Sequence, residues 1–238
     1  MIGVPFTHAS PVGRRRALPL SWPWDALQTW AAVLVTLPVF VQAPWVRASP
    51  FSATLFTLPL LLGALLLERF GESDQRRLGA LLVGFCGSWL GGCLFWGWFR
   101  LHPVCHLPIE AFALPLALGG LSGRWRLAAG FYLASLLGTA ATDIAIAATG
   151  LMPFWPSVLQ AAPEQAASLL FRATSSLGQP ASLLILVASA LLLLGLGRWL
   201  HSLGQAGRVA AAALTTTLLV DGLFVAAARM APALSGLI

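Results

Sequence analysis

The chain has 238 residues, 58% hydrophobic and 9% charged, with a formal net charge of +6 and a mean hydropathy of +0.83. A water-soluble domain carries about 25% charged residues, so the composition excludes one, and the apolar stretches leave no length for a large extramembrane domain. All 14 basic residues are arginines, placed singly or in small groups at the ends of apolar stretches as membrane anchors are; with no basic stripe or RNA-binding motif, nucleic acid is excluded as a partner.

Residues 1–24 hold Arg14, Arg15 and Arg16, then a weakly apolar stretch interrupted by Pro19 and Pro23 without a small-residue cleavage site. That pattern suits a cytoplasmic tail ahead of an uncleaved first span better than a secretory or twin-arginine signal. Seven segments then approach the roughly 20 apolar residues needed to cross a hydrocarbon core of about 30 Å. They cover residues 25–46, 50–67, 78–99, 108–122, 127–150, 181–200 and 208–229, followed by a short tail at 231–238. The expected fold is all-α: a polytopic integral membrane helical bundle of about seven transmembrane helices in one domain, with the N-terminus cytoplasmic.

The fourth segment is short, opens at Pro108 and contains Pro115, so a tilted, broken or re-entrant course competes with a full crossing. Arginine placement decides. With seven crossings, Arg14, Arg15, Arg16, Arg69, Arg76, Arg77, Arg124, Arg126, Arg198 and Arg208 lie on the cytoplasmic side, against Arg47, Arg100, Arg172 and Arg229 on the other. A re-entrant fourth segment reduces this ten-to-four bias to eight against six, so the positive-inside rule favours seven spans.

In the third span Gly84, Ser88 and Gly92 recur every four residues beside Gly87 and Gly91, a small-residue face that admits close helix packing, within the bundle rather than at a dimer seam. Trp22, Trp24, Trp45, Trp125, Trp155 and Trp199 fall at expected interfaces, while Trp89, Trp96 and Trp98 line the third span. The long connection 151–180 lies on the non-cytoplasmic side. There Pro163 suits a first helical position, Gly178 and Pro180 a stop, and Ala166, Leu170, Ala173 and Leu177 one apolar stripe of a short helix, either interfacial or an ordinary capped loop helix.

Aspartate inside a span costs about 2.5–3.5 kcal/mol on insertion scales, so it faces a cavity, a partner or a path. Asp143 and Asp221 occupy such positions in the fifth and seventh spans, and their neighbourhoods echo one another: Thr139, Asp143 and Met152 align with Thr217, Asp221 and Met230. On the same side the connection between the third and fourth spans supplies Arg100, His102, His106 and Glu110, expected to lie above the two aspartates. The candidate polar pocket is therefore Arg100, His102, His106, Glu110, Thr139, Thr142, Asp143 and Asp221. His102, Cys105 and His106 have metal-like spacing, but no fourth ligand or haem-attachment motif accompanies them, so no metal and no cofactor is expected. Nor does the chain carry a paired-histidine zinc motif, a nucleophile elbow or an aspartate-rich diphosphate site, which weighs against an enzyme.

The run Gly91-Gly92-Cys93-Leu94-Phe95-Trp96-Gly97-Trp98-Phe99-Arg100, then His106-Leu107-Pro108-Ile109-Glu110, Gly138-Thr139-Ala140-Ala141-Thr142-Asp143 and Val220-Asp221-Gly222-Leu223-Phe224, resembles a cyanobacterial multi-span membrane-protein family of unknown function. The earlier Leu37-Pro38-Val39-Phe40-Val41-Gln42-Ala43-Pro44 fits it too. The resemblance implies the plasma or thylakoid membrane of a photosynthetic bacterium, and it carries no activity. Two functions remain in view. One is a small solute or ion transporter with an outward-facing polar pocket; the other is a non-catalytic assembly or pigment-handling factor for photosynthetic membrane complexes. Membrane lipid is a partner of either.

Overall fold

The structure is a computed structural model that describes residues 25–230. The tails at 1–24 and 231–238, with Arg14, Arg15, Arg16, Trp22 and Trp24, lie outside the described residues. Seven helices are long and apolar enough to cross a membrane: α1 (Ala26–Ala48), α2 (Pro50–Phe70), α3 (Ser73–Phe99), α4 (Pro103–Gly120), α5 (Arg126–Ala148), α8 (Pro180–His201) and α9 (Gly204–Met230). Two further helices, α6 (Phe154–Gln160) and α7 (Pro163–Ser176), fill the connection between α5 and α8. No strand occurs among the described residues. The chain is an all-α polytopic membrane bundle.

Helix ends follow capping chemistry rather than hydropathy. Asp25 opens α1 with a capping box to Gln28, and Glu72 does the same for α3 through Gln75. The second box extends α3 five residues past the apolar boundary expected at Leu78, through Asp74, Arg76 and Arg77. Two spans carry π-helical turns, Pro38–Gln42 in α1 and Phe95–Phe99 in α3. Around the first, Pro38 and Pro44 lack the N–H groups that regular α hydrogen bonding needs. Gln42 sits at the end of that turn, 1% exposed, and its amide donates to the Trp89 carbonyl and to Cys93 Sγ.

The glycines of α3 make it the hub of the bundle. A Cβ added at Gly79 would meet the α2 backbone at Ala64 and Glu68, at Gly84 the α5 backbone at Ala128, at Gly87 the Tyr132 ring, at Gly91 the Glu110 backbone, and at Gly92 the Gln42 side chain. The small-residue face is thus spent inside one molecule, and it faces four neighbouring helices rather than one. Trp89 stands beside it, 3% exposed, donating to the Ala53 carbonyl of α2 and packing edge-on against Trp45, Phe56 and Phe85.

The same contacts give the course of α4. Gly84 faces Ala128 and Gly87 faces Tyr132, so numbering rises together and α3 and α5 run parallel. Against α5 the numbering of α4 falls: His106 meets Asp143, Glu110 meets Thr139, Ala113 meets Tyr132, and Gly120 meets Ala129. From Asp143 to Ala129 is fourteen residues of helix, about 21 Å at 1.5 Å per residue. A re-entrant segment returns to the side it left, whereas α4 runs on beside α5. It is nevertheless broken, passing through 3₁₀ turns at Pro103–Cys105 and Ala111–Ala113.

Helix α7 begins with Pro163 in its first turn and stops before Gly178, as its sequence predicts. Its stripe turns inward, the course of a loop helix rather than an interfacial one. Ala166, Leu170, Ala173 and Leu177 are all buried, and Ala166 and Leu170 cluster with Val158 of α6 and Ala228 of α9. The apolar face closes over the end of the bundle instead of facing lipid.

Candidate functional site

Four residues of α5 project the polar groups. Tyr132, Thr139 and Asp143 are separated by seven and four residues, which keeps them on one helical face, here the face toward α4. Thr142 occupies the adjacent line, toward α9. On α4, His106 and Glu110 are also four apart, and because the two helices run in opposite directions each meets its counterpart one turn along.

His106 is the centre of the arrangement. Its Nδ1 lies 3.0 Å from Asp143 Oδ1 and its Nε2 3.3 Å from Glu110 Oε1. The other Glu110 oxygen accepts from Thr139 Oγ1 at 2.9 Å. Thr142 Oγ1 lies 2.5 Å from Asp221 Oδ2 and 3.0 Å from the Gly138 carbonyl, donating across to α9. Glu110, Asp143 and His106 side chains are 12–16% exposed, so the cluster is largely enclosed yet reachable. Two carboxyl groups therefore share one imidazole, and a third, Asp221, joins them through Thr142.

The irregularity of α4 is part of the site. Pro115 has no N–H for the Ala111 carbonyl, the backbone tightens into the 3₁₀ turn at Ala111–Ala113, and the Leu114 N–H bonds to Ala111. That leaves the Glu110 carbonyl and the Ala113 N–H to be satisfied from outside. The Tyr132 hydroxyl does both, donating to the first at 2.5 Å and accepting from the second at 3.2 Å. Tyr132 is the one tyrosine of the chain, and it locks the turn that aims Glu110.

Aromatic rings from the π-helical turn of α3 hold the imidazole from the other side. Phe95 is fully buried and stacks on His106 with ring centroids 4.2 Å apart and planes inclined by 30°. Trp96 meets His106 edge-on at 6.2 Å and stacks on Trp155 at 5.6 Å. Trp155 in turn donates its indole N–H to the Arg100 carbonyl at 2.8 Å. A π turn re-aims side chains by one position and recurs at functional sites; here it presents consecutive rings to one histidine.

The structure brings together six of the eight residues expected: His106, Glu110, Thr139, Thr142, Asp143 and Asp221. It leaves out Arg100 and His102. Arg100 enters only through its carbonyl, and among the described residues its side chain has no ion pair. His102 is exposed, held non-helical (φ −119°, ψ 76°) by the proline that follows it. Nor do the histidine and glutamate lie above the aspartates: His106 is level with Asp143, and Glu110 is one turn deeper. The aspartates are level with one another through Thr142, although Asp143 is five residues from the end of α5 and Asp221 nine from the end of α9. The echo between these helices is spatial as well, since Gly138 packs on Thr217 and Thr142 on Asp221. Phe95 and Tyr132 were not anticipated as site residues, and Trp155 was expected only at an interface. The lone tyrosine beside a proline-broken span was the available signal for one of them.

Neither a curated protein nor a solved structure matches the chain. A family model described as protein of unknown function, DUF3120, matches residues 31–229, a stretch that includes every side chain of the cluster. The chain belongs to this family of uncharacterised proteins.

Proposed function

We propose that the protein is a small solute or ion transporter whose substrate movement is coupled to a proton held by the His106, Glu110 and Asp143 group. The observation that carries this reading is that both ring nitrogens of His106 face carboxylate oxygens. A doubly protonated ring donates on both sides. A neutral ring leaves one nitrogen facing a carboxylate, lone pair to lone pair, unless that carboxyl holds the proton. The group thus works as a relay in which one proton has three alternative holders.

Charge balance supports a cationic guest. Glu110, Asp143 and Asp221 fully ionised exceed one imidazolium by two charges, in a setting where uncompensated charge is costly; an incoming cation or further proton offsets them. The broken course of α4 agrees with transport sites, where interrupted helices expose polar backbone at mid-membrane depth. Arginine placement puts the N-terminus in the cytoplasm and the cluster toward the outer face. The rival reading, an assembly or pigment-handling factor in a photosynthetic membrane, draws on the tryptophans of α3. Trp89 and Trp96 are partnered by neighbouring rings, which favours packing over a stacked pigment.

The test is proton flux into liposomes containing the purified protein, read with a trapped pH dye under an imposed potassium diffusion potential. Flux above empty liposomes is expected for the native protein, falling at least tenfold in His106→Gln. Native flux equal to that of empty liposomes under every cation gradient supplied, or undiminished flux in the variant, would sink the proposal.

A further inference from the structure

A crevice lies at the other end of the bundle from the carboxylates. It has a volume of about 800 Å³ and runs between α1 and α8 over a floor of α9, lined among others by Gln28, Gly195, Gly197, Arg198, His201 and Thr215. That volume is within the roughly 300–1,000 Å³ of ligand-holding pockets. Two features give it a chemical character. Its lining carries a guanidinium and an imidazole and no carboxylate, while nearby Asp25 is engaged by Arg208 at 3.5 Å. Gln28, 3% exposed, lines the crevice with its side-chain oxygen committed to capping α1, so what it offers there is an N–H donor.

The shape adds a second requirement. Gly195 and Gly197 open the wall of α8: a Cβ at Gly195 would meet nothing within 4 Å, and one at Gly197 would meet only Thr215 Oγ1 at 3.5 Å. The slot stretches from Gly195 to His201, six residues or about 9 Å along α8, with its basic groups at the helix end. Trp199, 58% exposed, marks that end as interfacial. A soluble anion needs only the basic end, whereas a molecule with an anionic head and an apolar tail fits the whole. Basic pockets between transmembrane helices suit anionic headgroups.

We infer that this crevice is a binding site for an anionic glycerophospholipid, with the phosphate between Arg198, His201 and the Gln28 amide and an acyl chain in the glycine slot. The site is separate from the carboxylate cluster and stands or falls independently of the transport reading.

Native mass spectrometry of the full-length protein, delipidated in neutral detergent and supplied with phosphatidylglycerol or phosphatidylcholine of matched chains, tests it. Phosphatidylglycerol is expected to be retained at least tenfold more than phosphatidylcholine. The preference should be lost in the double variant Arg198→Gln with His201→Gln and kept in Arg76→Gln, which removes an arginine outside the crevice. Gly195→Leu fills the slot without altering charge or meeting a neighbour, and should lower retention of phosphatidylglycerol by a similar factor. Equal retention of the two lipids would overturn the inference, as would native-like retention in the double variant or in Gly195→Leu. Displacement of the lipid by equimolar glycerol phosphate would also overturn it, in favour of a soluble phosphate anion.

Discussion

A single imidazole carries two of the three carboxyl groups gathered toward the C-terminal end of α5. If the carboxylates handle a mobile proton, Asp143→Asn and Asp221→Asn should abolish function while leaving the protein inserted and abundant, because an amide keeps the size of the side chain and one acceptor. If they serve only as struts, Asp143→Asn breaks one of the two ion pairs of its imidazole partner and leaves it Glu110 alone, so stability should fall, by at most the order of 3–5 kcal/mol that breaking a buried pair costs. Thermal-shift curves of the two variants in detergent, set beside growth of replacement strains under varied light, pH and nutrient supply, distinguish the outcomes. Fully stable variants indistinguishable from wild type in every condition would remove the cluster from consideration. A second prediction concerns packing. Gly84→Ala drives a methyl into the Ala128 backbone, while the same change at Gly63 meets open space. Overpacking costs typically about 1–3 kcal/mol, so the first should lower the melting temperature and the second leave it unchanged or raise it.

Among the elements, α7 makes the most direct prediction. Its stripe covers Ala228 and Val158, so Leu170→Ala should destabilise by about 2–5 kcal/mol, the range for truncating a buried leucine. Exposed Phe171 on the opposite side should tolerate alanine in the same melting assay. The stripe itself was legible because its four apolar residues repeat at helical spacing, but spacing names a face and not what the face meets. In α4 the limit was different. Hydropathy places its start at Pro108 because the stretch from Arg100 to His106 reads as a polar connection; in the structure His106 is already helical, and it and Glu110 find polar partners on α5. A local window cannot see a partner 29 or 37 residues away, which is how far Thr139 and Asp143 lie from them. For the same reason Arg100 was assigned to the cluster on nominal charge, although its side chain takes no part. Asp143 and Asp221 stand out in the sequence because an aspartate inside an apolar segment is conspicuous without knowledge of its neighbours.

At the scale of the whole molecule, seven crossings and a cytoplasmic N-terminus make a definite prediction. A reporter fused after Ile238 should read non-cytoplasmic and one inserted within residues 68–77 cytoplasmic; the same reading from both would refute that topology. The crossings are unequal in support. Inside the bundle, 61% of the most apolar stretch of α3 is buried, against 17% for α2 and α8 and 11% for α4. The span that brings His106 and Glu110 to the cluster is therefore the least enclosed, and its backbone already departs from regular hydrogen bonding at Ala111–Ala113. Opening free energies differ across a structure according to such local support, so deuterium should enter the amides of α4 well before those of α3 when the protein is placed in heavy water. Protonation at its histidine would then be felt as a change in how often one peripheral helix lets go, with the glycine-packed centre holding still.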